Sequence, residues 1–318
     1  MRLWPVRKSI AILEGLKLPG LQGLSLWQVS RFFWEAVMKG QVGTRASAIS
    51  FRLFLAFFPG IIMLLTLIPY IPIPNFQENL FDSIRGFFPG DTFSLFESTL
   101  DDLINRKHSA LLSIGFILVI YYASNSINAV LIGFNTSYHL DEKGNLWIMR
   151  LASIILIFVL GILMAVAMAI MGFSGYIFDY LHKIGIIGDK GYIPILNFAK
   201  WMISVFLIYT IISTLYNVGV GQRRRKWRFF NVGATVATFF FILTSVGFAY
   251  FVNNFATYNK LYGSLGTLMV LLIWLNFNCM IVLMGFDLNM SIRKAKRTIP
   301  KPAPPAPEPI KNTLKESE

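Results

Sequence analysis

The side chains with most chemistry open to them are the polar and ionisable residues set inside apolar runs. Arg52 lies about six residues into a run that begins near residue 46. A charge at mid-bilayer costs about 2.5–3.5 kcal/mol on insertion scales. Arg52 is nearer one edge, so snorkelling to the surface lowers that cost. A second run carries Tyr121, Asn125, Asn128 and Asn135, whose spacing puts them on one helical face. A later run carries Asn276 and Asp287, close to three turns apart and again on one face. Tyr209, Ser213, Tyr216 and Asn217 end another run on or near one face. Buried singly such groups are costly, but gathered they satisfy one another. Two readings follow. One is a polar cavity in which Arg52 and Asp287 pair or face a common ligand, suited to an amphiphile with an anionic head. The other is interhelical hydrogen-bond glue.

Catalytic chemistry finds little support. Cys279 is the one cysteine and sits in an apolar run, so neither an internal disulfide nor a thiolate metal cluster is expected. His108, His139 and His182 fall in three different connecting segments. The carboxylates form no HxH or DxD constellation. No catalytic residue, metal or cofactor is expected.

The elements that must carry these residues are membrane helices. The chain of 318 residues is 55% hydrophobic and 14% charged, where a soluble domain carries about 25% charged residues. Mean hydropathy is +0.59. A membrane-crossing helix needs about 20 mostly apolar residues. Six segments qualify, at about 46–71, 110–135, 148–174, 198–219, 229–252 and 262–289. None alternates strictly, which excludes a membrane β-barrel. The expected fold is an all-α integral membrane protein, a bundle of six transmembrane helices. The apolar stretch Ile10 to Leu26 is broken by Glu14, Lys17 and Pro19, so no cleavable signal peptide is expected.

The net charge of +13 could suggest nucleic acid. Its distribution points instead to the positive-inside rule. Residues 1–45 hold seven Lys and Arg, residues 220–228 hold five and the tail from 290 holds seven. The 73–109 loop holds three against six acidic residues. Both termini are therefore expected in the cytoplasm. The partners expected are membrane lipids, with anionic headgroups at the basic cytoplasmic loops, and no nucleic acid. In this orientation Arg52, Asn128, Asn135, Asn217 and Asp287 share the cytoplasmic half of the membrane.

The flanks have their own patterns. Residues 1–45 form a cytoplasmic segment in which Ser25 caps a helix running to Gly40. With Trp27, Trp34, Arg31 and Lys39 it suits the membrane interface; packing on the base of the bundle is the alternative. Between the first two spans, Phe76, Leu80, Ile84 and Phe87 repeat at helical spacing. Asp91 can cap a second helix carrying Leu95, Thr99 and Leu103, giving an outer helical hairpin. Residues 291–318 read as a basic cluster followed by a Pro-rich disordered tail. Gly161, Ala165 and Ala169, Gly233 and Ala237, and Gly263 and Gly266 read as packing seams. Such seams permit an oligomer without requiring one. Pro59 removes a backbone donor and clashes with the preceding turn, so a kink is expected in the first span.

Several stretches resemble a known family. They are Ala46-Ser47-Ala48-Ile49-Ser50-Phe51 before Phe58-Pro59, Tyr122 through Asn128, and Arg225-Lys226-Trp227-Arg228 before Gly233-Ala234. The most specific are Tyr262-Gly263-Ser264-Leu265-Gly266, Leu271 through Leu275 with Trp274, and Gly285-Phe286-Asp287-Leu288-Asn289. Over about residues 30–292 the chain is similar to the YihY/BrkB family of bacterial inner-membrane proteins. The resemblance implies a role in the cell envelope and brings no catalytic residues. The family usually has glutamate where Asp287 stands, and Arg52 occupies a place often held by an aromatic or small polar residue. Its old ribonuclease BN label has no support here, because RNA hydrolysis needs a metal cluster or an acid–base pair facing water. Transport or flipping of a lipid or other anionic amphiphile is the leading reading. A membrane scaffold in envelope biogenesis is the second, and an enzyme the third.

Overall fold

The computed structural model describes residues 25–71, 77–78, 97–137, 145–183, 193–219, 228–254 and 256–298. Among these all regular structure is helical. Helix α1 spans Leu26–Lys39, α2 Val42–Leu67 with a 3-10 turn at Ile68–Tyr70, α3 Glu97–Asn105 and α4 Ser109–Asn135. Then come α5 Leu146–Lys183, α6 Ile193–Gly219, α7 Val232–Asn254 and α8 Ala256–Thr298.

Among the described residues, five stretches are long and apolar enough to cross a membrane: Val42–Tyr70, Ser109–Asn135, Phe198–Gly219, Val232–Val252 and Leu268–Thr298. They coincide with five of the six expected spans. The segment expected at 148–174 falls within α5, a helix of 38 residues whose fully described part includes the apolar stretch Trp147–Leu163. Pro59 is accommodated inside a continuous α2. Of the expected outer hairpin, α3 carries Thr99 and Leu103; Phe76, Leu80, Ile84 and Phe87 lie outside the described residues.

Six helices pack in a ring. Each of α2, α4, α5, α6, α7 and α8 contacts its neighbours, with α2 against α4, α4 against α5, and α8 closing the circle on α2. Helix α4 also reaches α6 and α8 across the ring. Close approaches fix the directions: Gly115 lies against Met63, and Gly133 against Ile49, so α4 runs antiparallel to α2.

Burial is concentrated at one end of this ring. Val42, Ala46 and Ile49 open α2, and Leu131 and Phe134 end α4. Ala234 and Ala237 open α7, while Leu283, Phe286 and Met290 lie in the second half of α8; all are buried. Phe134 stacks on Phe286 with ring centres 4.3 Å apart, and Tyr216 meets both edge-on. Arg31, Lys39, Arg45, Arg150, Arg228 and Arg297 lie toward the same end, called the basic end below. Toward the other end a smaller contact joins α3 to α2 and its 3-10 turn, with Thr66, Ile68 and Ile104 buried. Large apolar side chains elsewhere face outward, as lipid permits.

Three details sharpen the sequence expectations. First, α8 continues beyond residue 289 through the basic cluster to Thr298. Lys, Arg and Ala are good helix formers, and Ile292 and Ala295 pack against Val29 of α1. The basic cluster read as preceding the Pro-rich tail is therefore the last two turns of a helix. Second, α1 does pack on the base of the bundle, through α8, while Trp34 and Met38 stay exposed on its other side. Its capping box is the expected one, with Ser25 Oγ accepting from Gln28 and the Gln28 side chain accepting from Ser25 N–H. Third, of the small-residue seams, Gly233 and Ala237 are buried, whereas Gly161 meets nothing within 4 Å.

Candidate functional site

Asp287 is fully buried in the second half of α8. Arg45, in the first turn of α2, donates from Nη2 to Asp287 Oδ2 at 2.6 Å. The other arm of the guanidinium donates to the Gly133 carbonyl of α4 at 2.8 Å. Ser137, just past α4, donates its hydroxyl to Asp287 Oδ1 at 2.6 Å. One carboxylate thus gathers donors from α2 and from the end of α4. Both carboxylate oxygens are occupied, as a buried charge requires. Arg45 reaches this point because the chain turns sharply after α1: Gln41 takes a left-handed conformation at φ 48° and starts α2 at once. Gly40 lies beside the guanidinium, 3.0 Å from Nη2 to the place a Cβ would take.

The next turns of α8 are held by α7. Gly285 and Gly233 face each other so closely that a Cβ on either would run into the opposing backbone. Asn289 uses that approach, accepting from the Gly233 N–H at 2.9 Å and donating to Asn231 Oδ1 at 2.7 Å. Asn231 in turn caps α7 by accepting from Ala234 N–H at 2.8 Å. The 228–231 connection is clasped by α6. Tyr209 and Ser213 donate to the Phe229 carbonyl, and Asn217 both donates to the Arg228 carbonyl and accepts its N–H. Tyr216 donates to the Val282 carbonyl of α8 at 2.6 Å, so α6 is tied to α8 as well.

The residues expected at one site are distributed over several. Asp287 pairs with Arg45 and not with Arg52, whose side chain is exposed and whose carbonyl accepts from Ser126. Arg45 is seven residues, two turns, nearer the basic end, and placing the span at 46 leaves it one residue outside. Asn125 accepts from Arg150 of α5 at 2.7 Å. Asn276 donates to Ser47 and Ser50 of α2 at 3.0 and 3.4 Å. Asn135 is buried, and the Asn128 side-chain oxygen is buried without a hydrogen-bond partner. Asn217 belongs to the α6 clasp. Beside this charge cluster the buried rings of Phe134 and Phe286 stack. Sequence reading missed Arg45, Ser137, Arg150 and Asn231, all at helix ends where hydropathy is silent. The one signal for Arg45 was its seven-residue spacing from Arg52.

Of the motif residues, Trp274 lies against Phe241 and Phe248, and Gly266 is buried. Gly285 and Asn289 form the α7 crossing just described. The side chains of Tyr262 and Gly263 lie outside the described residues.

Comparison with known proteins gives relatives along most of the chain. The ribonuclease-like protein YfkH of Bacillus subtilis (strain 168) is 28% identical over 254 residues, covering 80% of this chain and 91% of that protein. The UPF0761 membrane protein IL2447 of Idiomarina loihiensis is 23% identical over 228 residues, covering 72% of this chain and 76% of that one. A UPF0761 membrane protein of Tolumonas auensis is 22% identical over 286 residues, with 85% and 90% covered. No solved structure matches. The family model described as Virulence factor BrkB matches residues 33–309, which hold the whole ring of helices, and the chain therefore belongs to the BrkB family of membrane proteins.

Proposed function

We propose that this protein crosses the bacterial inner membrane six times, α5 supplying the third span, with both termini in the cytoplasm. We further propose that it transports or flips a lipid or another anionic amphiphile. The observation that carries this reading is Asp287, a fully buried carboxylate paired with Arg45 at 2.6 Å inside a membrane bundle. A buried ion pair adds little stability over apolar residues of similar volume. Ionisable residues at membrane depth belong by default to function, often to a path for substrate or ions. In this reading the pair closes the cytoplasmic end of the ring. When α2 parts from α8, the Arg45 guanidinium becomes free to meet an anionic head. Asn125, Asn128, Asn276 and Arg52 then stand as further groups along the path.

The test is lipid movement in proteoliposomes with fluorescently labelled phosphatidylglycerol. The wild-type protein should move the label between leaflets. An Arg45→Met/Asp287→Leu double variant, folded by circular dichroism and gel filtration, should lose that movement by at least tenfold. A wild-type protein that leaves the label where it was put removes the reading.

A second reading is a non-transporting scaffold for envelope biogenesis. It is favoured by the satisfied network of Asn217, Asn231 and Asn289, which is what interhelical glue looks like. Under it the double variant supports the envelope in cells as well as the wild type does. An enzyme is the third reading, and cleavage of RNA by protein freed of soluble nucleases would bring it forward.

A further inference from the structure

A groove of about 760 Å³ runs between α6 and α7 on the outer surface of the ring. It lies within the size range of small-molecule sites, about 300–1,000 Å³. Its walls are apolar, from Trp201, Phe206 and Tyr209 on α6 to Phe239 and Leu243 on α7, with Phe230 near the basic end. Along α7 the lining runs from Thr235 to Val246, about 17 Å at 1.5 Å per residue. One wall residue does not fit an empty apolar surface. Thr238 is 4% exposed, and its hydroxyl has no hydrogen-bond partner. A threonine in a helix ordinarily donates back to the preceding turn. An unpartnered hydroxyl in a dry setting is costly, so this one calls for an acceptor brought by an occupant.

The chain just before the lining residue Phe230 supplies the other half of the description. Arg228 is exposed, two residues before Phe230, and its backbone is fixed at both N–H and C=O by Asn217. Thr238 is ten residues further on, on the first two turns of α7. Cation, then hydroxyl, then apolar trough is the order of phosphate, ester carbonyl and acyl chain in a phospholipid. We infer that this groove binds one molecule of an anionic phospholipid from the leaflet at the basic end. Its acyl chain lies between α6 and α7, an ester carbonyl accepts from Thr238, and its phosphate meets Arg228. The site deepens the proposed function by giving the amphiphile a place to dock, yet lipid binding is measured without any transport step.

The experiment uses the full chain in nanodiscs of phosphatidylcholine with increasing phosphatidylglycerol. Bound lipid is read by native mass spectrometry and by quenching of Trp201 fluorescence with bromine-labelled phosphatidylglycerol, against Trp201→Phe as background. The wild type should retain phosphatidylglycerol in preference to phosphatidylcholine. Arg228→Gln should lower that preference about fivefold. Thr238→Val, matched in shape, should weaken retention of both lipids about fivefold. Ile242→Trp, which fills the trough from its side, should abolish the Trp201 quenching specific to the wild type. Equal retention of the two lipids by the wild type overturns the inference, as does retention unchanged in all three variants. If the wild type proves oligomeric and the variants become monomeric with lipid retention unchanged, that overturns it too, since the occupant is then a second copy. Lipid bound as described with no lipid movement sinks the transport reading and leaves the site. Lipid movement indifferent to all three variants sinks the site and leaves transport.

Discussion

At the scale of single residues, the Arg45–Asp287 pair separates two kinds of loss. Arg45→Ala leaves a carboxylate buried without its cation, which should destabilise the protein by about 3–5 kcal/mol. Thermal unfolding in detergent checks this. The Arg45→Met/Asp287→Leu double variant should regain most of that stability, because it removes both charges and keeps the volume. If the double variant is no more stable than Arg45→Ala, the damage lies in the shape around Gly40 and Gly133 rather than in the uncompensated charge. The polar residues of the spans were legible in the sequence as residues out of place, and Asp287 does sit at the centre of a polar cluster. Its partner was not legible. The choice between Arg45 and Arg52 turns on where α2 begins, and the left-handed Gln41 that starts it early leaves no trace in hydropathy.

At the scale of helices, the small residues divide sharply by what faces them. Gly285 and Gly233 are in backbone contact across α7 and α8. Gly285→Ala and Gly233→Ala should each lower stability by about 1–3 kcal/mol through forced separation of the helices. Gly161→Ala and Gly247→Ala, which meet nothing within 4 Å, should leave the unfolding midpoint unchanged or slightly raised. The same unfolding assay ranks all four, and a destabilising Gly161→Ala would mean that α5 packs against something outside this chain. Periodicity and small-residue spacing exposed the Gly233–Ala237 seam, and apolar length exposed the spans. They could not say that Gly161 looks outward, because in lipid an outward face is as apolar as an inward one. Nor could they find the end of α8, where a charged sequence stays helical because α1 packs beside it.

At the scale of the whole molecule, orientation is testable because the native background is quiet. Cys279 is 7% exposed and lies within α8, so the wild type should resist a membrane-impermeant maleimide. Lys107→Cys should label in intact spheroplasts, and Arg297→Cys only after permeabilisation. The reverse pattern would turn the protein over in the membrane. The ring itself carries a consequence for how it is made. Arg45 and Asp287 are 242 residues apart in sequence. At synthesis rates of about 5–20 residues per second, the arginine waits roughly 12–50 seconds for its carboxylate. By the end of that interval five helices of the ring have been made, and the place where α8 will bridge α7 to α2 stands vacant. The nascent protein is an open arc with a bare cation at the start of α2, and only the last helix made turns it into a circle. A chain cut short before α8 should therefore remain with the insertion machinery or be cleared by membrane proteases, which makes completion of synthesis and completion of the fold the same event.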